Sequence, residues 1–291
     1  MNSKNIKKSL NAKFNKWLES IDDKKVVKVV RENTIISGGA LVSLLTGTEV
    51  NDYDVYFKTK EAVLTVAQYY VDKFNSTHSI CASIKEAPDG RVIIFIQGQG
   101  VAGEEQKEDP PFPDEDVALE EVEQRENENL EKPKYRPVYL TSNAITLSDK
   151  IQIVIRFWGD VEEIHKNYDF AHCTCSWSSW DDNLILPQKA LECIINKELY
   201  YIGSKYPLCS IIRARKFINR GYTINAGQYL KMCLQLNDLD LHNVEILKDQ
   251  LVGVDSAYFN SAIAYMEKKK EEDPGWQLDN TYLFEVINRI F

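Results

Sequence analysis

The stretch TIISGGALVSLLTGTEVNDYDVYF, residues 34–57, decides the fold of this 291-residue chain. It begins with an apolar run typical of a short strand, passes through a Gly-Gly pair and continues with the apolar spacing of a short helix. A second apolar strand follows and opens with Asp52 and Asp54. The stretch therefore predicts a strand, a glycine turn, a helix and a second strand, in that order.

The residue types in this stretch predict a site for a nucleoside triphosphate and a divalent metal ion. Side chains alternate along a strand, so Asp52 and Asp54 point to the same face and can share a hard cation. Glycines let the backbone approach a phosphate closely, so we expect Gly38 and Gly39, with Ser37, to bind the triphosphate. A bare D-x-D is common in solvated turns, and the glycine pair and the helix are what make this pattern specific.

The same residues resemble the first motif of the polymerase-beta-like nucleotidyltransferases, above all the head domain of tRNA nucleotidyltransferases and bacterial poly(A) polymerases. Those proteins carry G-G-x-V-R-D-x-L-L-G, a spacer and then D-x-D, and this chain has Gly38-Gly39, Leu44-Leu45-Thr46-Gly47 and Asp52-Tyr53-Asp54. The resemblance implies that two Mg²⁺ or Mn²⁺ ions are held by the carboxylates. One ion would activate the attacking hydroxyl, and the other would neutralise the triphosphate and the leaving pyrophosphate. The resemblance extends over residues 33–224.

Asp169 is the candidate for the third metal-binding carboxylate that the resemblance implies. In the family this residue lies on the strand matching Lys150–Phe157, at about the position of Gln152, which is neutral. Asp169 follows a predicted helix and opens a predicted strand over residues 170–177. Its Tyr-Asp-Phe context resembles virus-encoded nucleotidyltransferase-like proteins. We therefore predict that Asp52, Asp54 and Asp169 are the catalytic and metal-binding residues; the alternative is that Asp169 only caps a helix or begins a strand.

Further departures from the family pattern bear on the activity. Val42 and Ser43 replace the Arg-Asp pair that follows the glycines, and Pro207 and Ser210 fall where the neck of CCA-adding enzymes carries an Asp and an Arg that read the incoming base. These changes exclude CCA addition to tRNA as the specific activity.

Two hypotheses of different classes remain. The first is a nucleotidyltransferase that moves a nucleoside monophosphate from an NTP to a hydroxyl of an RNA 3′ end, a tRNA, a small molecule or a protein side chain. The second is a catalytically weakened nucleotidyltransferase fold that serves as a nucleotide-binding, viral structural or host-interaction protein. The intact D-x-D favours the first, and the neutral residue at position 152 favours the second.

Positive charge for the triphosphate is predicted on a later helix. Arg213, Lys216 and Arg220 are spaced i, i+3 and i+7, so they share one helix face. The matching helix of the family closes over the triphosphate or guides the acceptor strand. We therefore assign Arg213 and Lys216 to nucleotide binding, with a solvated helix face as the alternative.

The net charge of −9 is concentrated in one insert. Residues 99–137 contain 13 acidic and 5 basic residues, a local net charge of −8 that leaves −1 for the rest of the chain. A charged, proline-containing segment poor in branched apolar residues is typical of a mobile insert, which we interpret as a solubilising loop. An electrostatic mimic that covers a basic groove is the alternative. Because the acidic charge is local, it does not exclude RNA as a partner.

Hydrophobic content and cysteine spacing indicate the class of protein and its cellular compartment. The chain is 44% hydrophobic and has no apolar run of 18 residues, so we expect a globular core and no membrane span. Six cysteines form no disulfide framework by spacing, which predicts the reducing cytoplasm of a cell or an infected host. The histidines and cysteines between positions 165 and 175 match no common zinc spacing, and Cys173 and Cys175 are interpreted as buried small side chains.

Periodicity along the chain predicts an α+β architecture. The basic N-terminus predicts an amphipathic helix with Phe14, Trp17 and Leu18 on one face, and residues 61–74 predict another helix. Residues 79–85 and 91–97 predict a hairpin, and 143–158 predict two strands. Helices follow from about residue 186. We expect a nucleotidyltransferase head over residues 1–185, with a mixed sheet and flanking helices, and an all-α neck and body over 186–291.

Overall fold

The computed structural model describes residues 2–77, 81–87, 90–97, 133–251, 268–269, 271–273 and 275. These residues form two compact units, one that ends at Asn196 and one that begins at Lys197. We call them the head and the helical unit. The predicted domain boundary after residue 185 stays a prediction. Of the acidic insert predicted at 99–137, residues 99–132 lie outside the described residues.

The head combines strands and helices, and the helical unit follows it with helices. The helices of the head are α1 (Ser3–Glu19), α2 (Lys24–Asn33), α3 (Gly39–Thr46), α4 (Lys60–Thr77), α5 (Val161–His165) and α6 (Gln188–Asn196). Its strands are β1 (Thr34–Ser37), β2 (Tyr53–Phe57), β3 (Cys81–Glu86), β4 (Val92–Gln97), β5 (Pro137–Leu140), β6 (Ala144–Leu147), β7 (Ile151–Trp158), β8 (Ser176–Ser178) and β9 (Asn183–Ile185). The helical unit contains α7 (Pro207–Asn219), α8 (Ala226–Leu236) and α9 (Val244–Leu251). The predicted α+β class is confirmed.

A seven-stranded mixed sheet organises the head in the order β5-β6-β7-β2-β1-β8-β9. The pair β2–β7 is parallel. The other pairs in this sheet are antiparallel. The predicted hairpin forms as β3 and β4, which make a separate two-stranded sheet. The strands that carry the glycine turn and the paired aspartates, β1 and β2, therefore lie near the middle of the larger sheet.

The two faces of this sheet are covered by different helices. On one face Ile36, Val55 and Ile153 belong to the main buried cluster, which also contains apolar residues of α1, α2 and α4. On the other face Ile35 and Tyr56 pack with residues that include Ile164 of α5. Because strand side chains alternate, Ser37 shares a face with Ile35, and Asp54 shares a face with Tyr56. The candidate site residues thus lie on the face that α5 partly covers.

The predicted amphipathic N-terminal helix is confirmed as α1. Phe14, Trp17 and Leu18 are all buried in the main cluster. The indole Nε1 of Trp17 donates a buried hydrogen bond of 2.7 Å to the hydroxyl of Tyr70 on α4. The ring of Phe14 meets Trp177 of β8 edge-on, with 5.4 Å between ring centroids. Through these contacts α1 packs against both α4 and the sheet.

The predicted strand over residues 170–177 is wrong in its first half. Residues Ala171–Cys173 form a turn of 3₁₀ helix, and β8 begins only at Ser176. The Thr174 hydroxyl donates to the Ala171 carbonyl at 2.7 Å, which stabilises the turn locally. Apolar residues such as Phe170 are buried here without forming a strand, because hydrophobicity alone does not distinguish a buried turn from a buried strand. Asp169 therefore does not open a strand.

Over the part of the chain that the structure describes, none of the helices has the length and hydropathy to span a bilayer.

Candidate nucleotide-binding and active site

The glycine turn between β1 and α3 brings the backbone of residue 38 against the side chain of Asp54. Gly38 has φ 84° and ψ −140°, a conformation that is open to glycine and costly for other residues. A Cβ on this residue would lie 3.1 Å from Oδ2 of Asp54 and 3.6 Å from the hydroxyl of Tyr168. The turn therefore requires glycine twice over, for its backbone angles and for the approach of the carboxylate.

Helix α3 begins immediately after this turn and offers backbone donors. The N–H of Leu41 bonds to the carbonyl of Gly38 at 3.2 Å, whereas the N–H groups of Gly39 and Ala40 precede the first bond within the helix. A Cβ built on Gly39 would meet nothing within 4 Å, so the space beside this residue is open. The N–H groups of a helix's first turn and the positive end of its dipole suit a phosphate.

The carbonyl of Cys175 accepts hydrogen bonds from two residues of the turn, Ser37 and Gly38. The buried hydroxyl of Ser37 donates to the carbonyl of Cys175 at 3.0 Å, and the N–H of Gly38 donates to the same carbonyl at 3.3 Å. The Nε2 of His165 lies 3.0 Å from the Ser37 oxygen. Since the only hydroxyl hydrogen is given to Cys175, the imidazole is the donor in this second bond.

His165 is uncharged at neutral pH in this position. Burial lowers the pKa of its imidazole to about 4, because the surroundings disfavour the charged form. The ring lies beside that of Tyr168, with 5.1 Å between centroids. Burial, with Asp54 nearby, raises the pKa of the Tyr168 phenol, so this group is neutral too. Asp54 thus faces neutral polar groups on this side.

The paired aspartates lie at the start of β2 as predicted. Asp52 is exposed just before the strand, and Asp54 is half-buried within it. The residues around Asp52 are hydrogen-bonded to Lys150, which lies in the turn between β6 and β7. The N–H of Tyr53 donates to the carbonyl of Lys150 at 3.0 Å, and Nζ of Lys150 donates to the carbonyl of Val50 at 3.0 Å. These bonds restrain the backbone on both sides of Asp52.

A row of polar side chains crosses five neighbouring strands at the level of Asp54. The register pairs Asp54 with Ser37 on one side and with Gln152 on the other. It continues from Gln152 to Thr146 and from Ser37 to Ser176. Paired residues point to the same face, and neighbouring strands are about 5 Å apart. We name these five residues the polar row; Asp54 is its only charged member.

Sequence reasoning missed one member of this constellation and reached another only by resemblance. His165 is 128 residues from Ser37 in the sequence, and Gln152 is paired with Asp54 across parallel strands. From the sequence, His165 was considered only as a zinc ligand, because no local pattern predicts its contact with Ser37. The position of Gln152 could be anticipated only through the family resemblance.

The remaining predicted residues lie on other elements of the chain. Asp169 is buried between α5 and the 3₁₀ turn. Within the described ranges, no group of three or more His, Cys, Asp or Glu side chains is arranged to hold a metal ion. Arg213 and Lys216 are exposed on α7 of the helical unit. The roles assigned to these three residues stay predictions.

The class of protein follows from the arrangement around Gly38. A strand, a glycine turn, a short helix and a strand that opens with paired aspartates form the arrangement that the sequence shares with the head of polymerase-beta-like nucleotidyltransferases. The head of this chain is a nucleotidyltransferase fold of that class.

The chain belongs to the Gabija anti-defense 2 (Gad2) family, whose model matches residues 8–197. A similar protein is Gabija anti-defense 2 of Bacillus phage SPbetaL7, which is 21% identical over 289 residues. The match covers 95% of this chain and 57% of that protein. This chain therefore spans a little over half the length of its curated relative, which a phage encodes.

Solved structures similar to this chain include CCA-adding enzymes. One is the Thermotoga maritima CCA-adding enzyme complexed with tRNA, at 12% identity and a TM-score of 0.39, with 91% of this chain and 57% of that chain covered. Another is the Bacillus stearothermophilus CCA-adding enzyme in complex with CTP, at 11% identity and a TM-score of 0.39, with 84% and 50% covered.

Proposed function

We propose that this chain is a metal-dependent nucleotidyltransferase that moves a nucleoside monophosphate from an NTP to a hydroxyl acceptor and releases pyrophosphate. The observation that carries the proposal is the contact of the Asp54 carboxylate with the glycine turn at the N-terminus of α3. A carboxylate oxygen, which suits a divalent cation, thus lies beside the turn from which a helix begins, where backbone N–H groups suit a phosphate. The family is described as Gabija anti-defense 2, and we propose that the transfer serves that anti-defense role.

The side chains near the glycine turn have the oxygen atoms that divalent cations prefer as ligands. Asp52, just before β2, and Asp54, within it, supply carboxylate oxygens, and Gln152, paired with Asp54, adds a neutral amide oxygen. Hard oxygen ligands of this kind suit Mg²⁺ and Mn²⁺. When bound, such ions would activate the acceptor hydroxyl and neutralise charge on the triphosphate.

The protein's own groups have separate tasks in the proposed reaction. Asp52 and Asp54 would hold the cations, and the N–H groups of Gly39 and Ala40 would bind phosphate oxygens. Ser37, fixed by His165 and by the carbonyl of Cys175, supports the turn that precedes those N–H groups. In-line transfer depends mostly on such positioning and on charge stabilisation.

The residues outside the turn complete the proposal. Asp169 adds a third carboxylate, and Arg213 and Lys216 add positive charge for the triphosphate. An RNA 3′ end or a tRNA is the acceptor that we test first. We expect Asp169→Asn to lower the rate by orders of magnitude. We expect Arg213→Ala to raise the KM for NTP more than it lowers kcat.

The test of this function is a transfer assay with each labelled NTP, Mg²⁺ or Mn²⁺, and total RNA. The Asp52→Ala/Asp54→Ala double variant is the inactive reference, and Asp72→Asn on the exposed side of α4 is the matched control. We expect label in RNA and free pyrophosphate with the wild type and with the control. If the wild type releases no more pyrophosphate than the double variant, the proposed transfer is wrong, and a binding role of the same fold takes its place.

A further inference from the structure

An exposed tryptophan, Trp180, lies at the opposite end of β1 from the glycine turn. It belongs to the turn between β8 and β9 and is 37% exposed, whereas Trp177 on β8 is 1% exposed. The N–H of Ser179 donates to the carbonyl of Thr34, the first residue of β1, at 3.0 Å. Ser37 ends the same strand about 10 Å away. Trp180 therefore lies outside the candidate active site.

Two basic residues are attached to the turn that contains Trp180. Nζ of Lys58 lies over the indole, 4.9 Å from the ring centroid. The N–H of Lys58 donates to the carbonyl of Asn33 at 3.0 Å, which joins the end of β2 to the end of α2. The Ser179 hydroxyl donates to the carbonyl of Arg31 at 2.8 Å. The last turn of α2, the end of β2 and the exposed indole thus form one continuous surface.

Helix α2 extends this surface with a row of cations. Lys24, Lys28 and Arg31 are spaced i, i+4 and i+7, so they share one helix face, and all three are exposed. They cover about 10 Å along the helix axis. Within the part of the chain that the structure describes, these three residues form no ion pair. The opposite face of α2 is buried in the main cluster through Val26 and Val30, so it is not free to enter a bilayer.

The carboxylates beside this surface are fewer than its cations. Asp23 is engaged as the N-cap of α2, and Asp181 accepts from the Ser178 hydroxyl, whereas Glu32 is exposed. With Lys25 and the four basic residues already named, five cations stand against these three carboxylates. The local net charge is therefore +2, in a chain whose net charge is −9.

We propose that the surface formed by Lys24, Lys28, Arg31, Lys58 and Trp180, the α2–Trp180 surface, binds a single-stranded nucleic acid. The cations contact successive phosphates, and the indole stacks on one base. Among the described residues of α2, no large hydrophobic side chain is exposed, which favours a phosphate backbone over the apolar core of a protein interface. The inference goes beyond the proposed transfer, because binding at this surface requires neither an NTP nor a metal ion.

The test measures binding of a fluorescently labelled, unstructured RNA of about 15 nucleotides to the full chain by fluorescence anisotropy, without NTP or divalent metal. Trp180→Ala should weaken binding at least about fivefold, the loss expected for one stacked base. Trp180→Phe keeps an aromatic face and should recover most of the affinity. Tyr139→Ala removes an exposed aromatic side chain from β5, at the other edge of the sheet, and should bind as the wild type does.

The salt dependence of the affinity tests the phosphate contacts. Each contact with a single strand contributes about 0.7 to the slope of log affinity against log salt concentration. The Lys28→Gln/Arg31→Gln variant should therefore bind more weakly, with a slope smaller by about 1.4. Lys85→Gln/Lys189→Gln removes two exposed charges from other elements of the head and should keep the wild-type slope.

Several results would overturn this inference. They are a wild type that does not bind the RNA at low salt, a folded Trp180→Ala protein that binds as tightly as the wild type, and equal slopes for the two double variants. If Trp180→Ala does not fold, the slopes decide alone. A duplex of the same sequence that binds as tightly as the single strand would exclude stacking on the indole. Displacement of the RNA by polyglutamate at equal charge concentration would assign the surface to an acidic protein instead.

Discussion

Replacing Gly38 with alanine tests the geometry on which the candidate site depends. The residue has φ 84° and ψ −140°, and holding a non-glycine residue in such a region costs on the order of 1–3 kcal/mol. The added Cβ would also lie 3.1 Å from Oδ2 of Asp54, so the carboxylate must move by a few tenths of an ångström. We expect Gly38→Ala to lower the free energy of unfolding by about 2–3 kcal/mol.

Gly47→Ala is the matched control for the backbone term alone. Gly47 ends α3 with φ 75° and ψ 22°, and a Cβ there would meet nothing within 4 Å. A left-handed alanine at such a helix end costs about 1 kcal/mol. For a unit of this size, 1 kcal/mol lowers Tm by roughly 2–4 °C. We therefore expect Tm to fall by about 6–9 °C for Gly38→Ala and by about 3 °C for Gly47→Ala.

Mn²⁺ binding distinguishes crowding at Asp54 from general destabilisation. Because the new methyl group pushes directly on the carboxylate, Gly38→Ala should weaken Mn²⁺ binding and transfer activity at temperatures where the variant is folded. Gly47→Ala should leave both unchanged. A Gly38→Ala protein whose Tm and Mn²⁺ affinity equal those of Gly47→Ala would refute the argument that Asp54 is held against the turn.

Three further predictions concern the surroundings of the site. Trp17→Phe leaves the buried Tyr70 hydroxyl without its donor and should lower the free energy of unfolding by about 1–2 kcal/mol, measured as Tm; an unchanged Tm contradicts this. The pKa of His165 is about 4 in the folded head and about 6.5 when unfolded, so wild-type stability should be lost as pH falls from 6.5 towards 4. His165→Gln should lack that loss in thermal scans across this range, and parallel curves would count against it. Burial lowers the pKa of Lys13 to about 8 from 10.5, so the folded state holds fewer protons between these values. Wild-type stability should then rise relative to Lys13→Met from pH 8 to 10.5, and a constant difference would exclude the effect.

Much of the head could be predicted because its signals are local. The stretch from Thr34 to Phe57 contains its own turn residues, its helix periodicity and its alternating strand, and the structure has all four elements in the predicted order. The spacing of Phe14 and Trp17 likewise predicts the buried face of α1, and both residues are buried. The strand predicted over residues 170–177 failed for the opposite reason: its apolar content reflects burial by distant parts of the chain, not local extension.

The sequence by itself determined the class of fold, the glycine turn and the pairing of Asp52 with Asp54, because each depends on residues close together in the chain. The tertiary structure alone decided what surrounds Asp54. Parallel pairing of β2 with β7 sets Gln152 beside it, and a contact across 128 residues ties His165 to Ser37. Such neighbours depend on the register and order of strands, which long-range packing selects and no short sequence window encodes.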